Sequence, residues 1–138
     1  MIDYGKLQKS LKHLELQYNN YANLAPDLPE LMREGIAESV IQRFETCYYS
    51  LWKALKRYLR EDLGLAELPN SPKPLFRIAF ENKLFGSDIE QWLRYADART
   101  STAHDYSEDK AKEALALMKN FITDAILIYE RMSGRDWA

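Results

Sequence analysis

From about residue 30 to residue 62 the chain runs without a proline, and Ile36, Val40, Phe44, Cys47, Leu51, Leu55, Tyr58 and Leu59 recur at spacings of three and four. That period puts every one of them on one face of an α-helix and fits no strand. A helix this long needs partners along its whole length, so the rest of the chain is constrained to supply them. Gly64 is placed for its C-terminal cap.

The remaining sequence supplies further helices. Residues 3 to 23 carry Leu7, Leu11, Leu14, Tyr18 and Tyr21 on a single stripe. Ser71 followed by Pro72 reads as a helix start, opening a short helix through Leu75, Ile78, Ala79 and Leu84 that Gly86 ends. Ser87 or Asp88 then caps a fourth helix, which carries Ile89, Trp92, Leu93, Ala96 and Ala103. A fifth begins at Ser107, with Glu108 and Asp109 in its first turn, and buries Ala111, Leu115, Met118, Ile122, Ala125 and Tyr129. The expected fold is all-α: an antiparallel four-helix bundle with an additional short helix, in one domain spanning 1–138. The tail from Ser133 to Ala138 is expected to fray.

Several function classes drop out on composition. The lone Cys47 cannot close an internal disulfide, and no Cys and His spacing matches a metal site, so a reducing, cytoplasmic setting without metal or other cofactor is expected. No apolar run approaches the ~20 residues of a membrane span, and the N-terminus has no apolar signal region. With 19 basic and 21 acidic side chains the net charge is −2, so any contact with nucleic acid must be local.

Catalytic candidates are few. There is no Gly-rich phosphate loop and no serine in a nucleophile elbow. His13 reads as an edge residue of the first helix, and Cys47, on an apolar stripe, reads as a small hydrophobe. Lys53, Lys56, Arg57 and Arg60 form a basic patch on the long helix that fits either a solvated face or phosphate contacts. The segment from Arg99 to Tyr106 differs, because a permanent cation, a titrating base and a phenol fall within eight residues at a helix end. An Arg can hold a phosphate bidentately and a His can take a proton from a ribose hydroxyl near neutral pH, which together suffice for metal-independent RNA cleavage. The alternative is an Arg99 paired with Asp97 or Asp105 and a His104 that merely ends a helix.

The pattern Arg-x-x-x-x-His-x-Tyr, as Arg99, His104 and Tyr106 ahead of the last helix, resembles the HEPN family. Within it, the stretch RFETCYYSLWKALKRYLRED at 43–62 and SPKPLFRIAFENKLF followed by Trp92 are similar to the branch called nucleotidyltransferase substrate-binding proteins. The resemblance covers roughly residues 30 to 130. It implies a homodimer in which Arg99 and His104 of two protomers line a shared cleft, Arg99 binding phosphate and His104 acting as general base. It implies a HepT-like subunit of a two-gene toxin and antitoxin module, cutting RNA and neutralised by a minimal nucleotidyltransferase that adds AMP to Tyr106. Where the family more often has Asn or Asp beside the Arg to orient the pair, this chain has Thr100. The other implied function is a non-catalytic subunit that presents a nucleotide to the nucleotidyltransferase through the same cleft.

Overall fold

The computed structural model describes residues 1–104 and 107–137, the side chain of His104 excepted. Five helices follow in order: α1 (Gly5–Ala22), α2 (Glu30–Glu61), α3 (Pro72–Glu81), α4 (Ile89–His104) and α5 (Glu108–Ser133). No strand occurs among the described residues. Helix α2 ends as its sequence predicts: Gly64 takes φ 70°, and the Leu65 amide turns back to the Leu59 carbonyl at 3.0 Å. Helix α5 begins at Ser107, whose hydroxyl accepts from the Lys110 amide at 3.3 Å.

Two expectations need correction. Helix α3 stops at Glu81 and does not reach Gly86. The Asn82 side chain donates to the Ile78 carbonyl at 2.8 Å, and Lys83 takes a left-handed φ of 60°, so the chain leaves the helix a turn early. Leu84 is still buried, as a loop residue whose carbonyl accepts from Arg131 at 2.8 Å. The second correction is the tail, which is fastened as far as Trp137. Gly134 at φ 72° turns the chain back. The Trp137 ring then stands edge-on to Tyr129 at 5.3 Å, its indole N–H donates to Glu15 at 3.3 Å, and Lys12 lies 5.0 Å over its face.

The apolar stripes meet in one core. Leu7, Leu11 and Leu14 of α1, the α2 row from Val40 to Leu59, and the α5 row from Ala111 to Met132 join a single buried cluster. Helices α1 and α2 run oppositely: Tyr4, just before α1, lies beside Asp62, just after α2, Ser10 meets Cys47, and His13 Nδ1 lies 3.2 Å from Arg43 Nη1. An aromatic hub ties in the shorter helices: Phe121 meets Phe44 at 4.9 Å and Tyr95 at 5.0 Å, while Phe76 meets Trp92 at 5.3 Å, each edge to face. Each such ring contributes roughly 1.5–3 kcal/mol by leaving water. Helix α4 is also pinned by polar contacts, because the Tyr95 hydroxyl donates to Asp124 at 2.5 Å and accepts from Gln91 at 3.0 Å. Arg99 follows Tyr95 by one turn, so the hub and this network set its place.

Candidate functional site

Helix α4 delivers Arg99 to the flank of α2. Its Nη1 lies 3.3 Å from Glu45 Oε2, with the two side chains 35% and 27% exposed. Asp97, one of the two partners the sequence offered, pairs instead with Lys73 of α3 at 2.5 Å. Asp105, the other, lies outside the described residues. The Thr100 hydroxyl donates to the Ala96 carbonyl of its own helix at 3.0 Å, and Thr102 does the same to Ala98 at 3.1 Å. Thr100 thus spends its donor on the backbone, and its hydroxyl makes no contact with Arg99.

Arg99 lines a groove of about 490 Å³ between α2, the start of α3 and the end of α4. Tyr48, Tyr49 and Trp52 form one wall and Pro72 and Pro74 contribute to another. Among the described residues its only charged lining side chains are Arg99 and Lys73, since their carboxylate partners Glu45 and Asp97 stand outside the lining. Burial pushes the Tyr48 phenol well above its ordinary range, against the opposing pull of the Arg99 cation, so it stays a neutral hydroxyl. The guanidinium meets Glu45 through one Nη, which leaves further donors for a second, bidentate anion. A larger groove, at the junction of α1, α2 and α5, sets Glu30, Glu34, Glu38 and Glu108 against Arg33 and Lys112, a net negative lining that disfavours phosphate.

The other sequence candidates separate. Lys53 adjoins the groove, its ammonium 4.8 Å over Trp52 and 5.4 Å over Tyr49. Arg57 pairs with Glu61 at 2.9 Å, and Arg60 is exposed one turn further. At 1.5 Å per residue these two stand about 18 and 22 Å along α2 from Glu45, too far to share a phosphate with Arg99. His104 is the last residue of α4, and Tyr106 lies outside the described residues. Because α4 stays helical through His104, the backbone positions of Arg99 and His104 are turned about 140° apart around its axis. Cys47 is fully buried, and burial pushes its thiol up to about 12, the character of a packing residue and not of a nucleophile. Among the described residues no cluster of His, Cys, Asp and Glu could hold a metal ion, and no helix is long and apolar enough to cross a membrane.

Sequence reasoning missed Glu45 and the aromatic wall as parts of a site. Their signal was present: Glu45, Tyr48, Tyr49 and Trp52 recur at three and four, a second face on α2 beside its apolar row. Nothing in the order of residues said which helix this face would meet.

Known proteins resemble the chain in sequence and in fold. The chain is 27% identical over 110 residues to a protein of Haemophilus influenzae named probable ribonuclease HepT, a match covering 78% of this chain and 75% of the relative. A crystal structure of a Thermus thermophilus protein superposes with a TM-score of 0.75 at 28% identity, covering 91% of this chain and 98% of the other. A second structure, from Haemophilus influenzae, has a TM-score of 0.85 at 24% identity over 95% of this chain and 99% of its own. It is described as the fold of a substrate binding domain of a nucleotidyltransferase, and at that identity it bears on fold alone. The family described as "Nucleotidyltransferase substrate binding protein like" matches residues 2–134. The chain belongs to that family, in its HepT-like branch.

Proposed function

We propose that this protein is the HEPN subunit of a two-gene toxin and antitoxin module, a cytoplasmic endoribonuclease that cuts RNA without a metal ion and is neutralised by a minimal nucleotidyltransferase. The observation that carries the reading is the place of Arg99: a guanidinium at the edge of a groove lined by cations and aromatic rings, with donors to spare, five residues before the only His of that region. The name of the Haemophilus relative supports the same activity.

In this reading Arg99 holds the scissile phosphate and His104 removes the proton from the ribose 2′-hydroxyl. The 2′-oxygen attacks phosphorus, the bond to the 5′-oxygen breaks, and the products are a 2′,3′-cyclic phosphate and a free 5′-hydroxyl. The leaving oxygen needs a proton, and one chain brings one His to the region. Two chains bring two, and the partner subunit's His104 then acts as the acid. The turn of about 140° between Arg99 and His104 on one continuous helix favours the same composite homodimer, since residues so far apart around an axis serve one phosphate more readily from two protomers. Tyr106 precedes the Ser107 cap and the free amides of α5, a position that welcomes an added AMP. There the nucleotide would occupy the place of an RNA phosphate and silence the site.

A second reading, a subunit that binds nucleotide for the nucleotidyltransferase without cutting, draws on Thr100, which stands where the family more often has Asn or Asp and gives its hydroxyl to the Ala96 carbonyl. A cleavage assay on the purified protein separates the two. Cutting that persists in EDTA, yields cyclic phosphate ends and is lost in both Arg99→Ala and His104→Ala supports the nuclease. Intact RNA with retained nucleotide binding supports the other.

A further inference from the structure

We propose that the Tyr49 and Trp52 wall of the Arg99 groove is a stacking platform for an unpaired nucleobase, making the groove a site for a single-stranded nucleotide rather than for phosphate alone. The proposal rests on the reading of Arg99 as a phosphate ligand.

Tyr49 is 56% exposed, an unusual place for a large aromatic ring in a chain with a well-filled core. It meets Trp52 edge to face at 6.2 Å, with the planes 85° apart, so each ring braces the other. Both rings line the same groove as Arg99, and so do Pro72 and Pro74, whose closed rings add rigid apolar surface to it. Along α2, Tyr49 and Trp52 are displaced from Glu45, the anchor of Arg99, by about 6 and 10 Å. Those displacements suit a base on the wall and its phosphate at the guanidinium. Lys53 covers one face of each ring and is not part of the groove lining, so a base is taken on the groove side of the wall. Aromatic faces interleaved with cations that track a backbone are the common means of holding single strands without sequence preference.

Calorimetric titration of the purified protein with 2′-O-methyl hexauridylate, which cannot be cleaved, with the abasic strand of equal length, and with UMP tests the platform. Tyr49→Ala and Trp52→Ala should each weaken the base-bearing strand roughly 5- to 150-fold, the loss of one stacked base. Trp52→Phe should stay within a few-fold of wild type, and the abasic strand should bind all three variants as it binds wild type. Arg99→Ala should weaken both strands. Tighter binding of the hexamer than of UMP supports a polynucleotide as the ligand, and equal binding supports a free nucleotide on the same platform. Unchanged affinity of the base-bearing strand in both alanine variants overturns the proposal even if Arg99→Ala weakens it. Unchanged abasic binding in Arg99→Ala instead removes the phosphate reading and with it the basis of the site. Sedimentation of Trp52→Ala as a monomer where wild type is a dimer would make the wall a subunit contact and also overturn the proposal.

Discussion

Replacing Cys47 by alanine should change the shape of the stability profile at high pH more than its height at neutral pH. The thiol is fully buried, and burial raises it from 9.0 in the unfolded chain to about 12 in the folded one. A group raised on folding contributes fully below its unfolded value and loses that contribution as pH climbs toward the folded one. Between pH 9 and 12 the unfolded chain therefore releases a proton that the folded chain keeps, and stability falls by about 1.4 kcal/mol per pH unit. At pH 10.5 this single group should have cost the wild type about 2 kcal/mol relative to pH 7.5. Cys47→Ala removes the titration and leaves a small void worth about 1 kcal/mol at either pH. Urea unfolding of both proteins at the two pH values isolates the difference, since the tyrosines titrate alike in each. The variant should start about 1 kcal/mol behind at pH 7.5 and finish about 1 kcal/mol ahead at pH 10.5. Parallel losses in the two proteins would show that the thiol ionises with equal ease folded and unfolded, and would undo the account of Cys47 as a sealed core residue.

Tyr95→Phe should lower stability by about 1–2 kcal/mol in urea unfolding, because it takes the donor from the half-buried Asp124 while keeping the ring in the aromatic hub. Gly64→Ala places a Cβ in open space but at φ 70°, so about 1 kcal/mol of backbone strain should appear in the same assay. If the proposed cleavage is found, Thr100→Val should leave it within two- to three-fold of wild type, since the hydroxyl it removes serves the Ala96 carbonyl; a loss comparable to that of Arg99→Ala would place Thr100 in the chemistry.

The helices are legible because each depends on a pattern within its own residues. The α2 row from Val40 to Leu59, the Ser107 cap and the Gly64 turn all read directly from spacing and residue type. The end of α3 is not, because Gly86 is the louder signal and the actual stop is made by the Asn82 side chain and a left-handed Lys83. Arg99 stands out from its neighbours in sequence, but its partner does not. Glu45 precedes it by more than fifty residues, and only the packing of α4 across α2 brings the two together. The same packing turns Tyr49 and Trp52 from two aromatic residues of an amphipathic helix into the wall of a groove. The tail differs from its expectation because a short polar run after a glycine looks loose until the partner for its one Trp is known, and that partner lies in α1.

The contact between Trp137 and Glu15 spans 122 residues, nearly the whole chain, whereas that between Arg43 and His13 spans 30. Closing the longer loop costs about 1 kcal/mol more in chain entropy and returns a partly exposed ring, its hydrogen bond to Glu15 and the Lys12 ammonium over its face. The α1 and α2 hairpin is the economical nucleus, and the C-terminal clasp has no reason to form before the helices it joins are in place. Its energy then belongs to the unfolding barrier and not to the folding one. Trp137→Ala should speed unfolding several-fold while leaving the refolding rate nearly unchanged. The last few residues thus act on how long the native state survives, with little influence on how quickly it is reached.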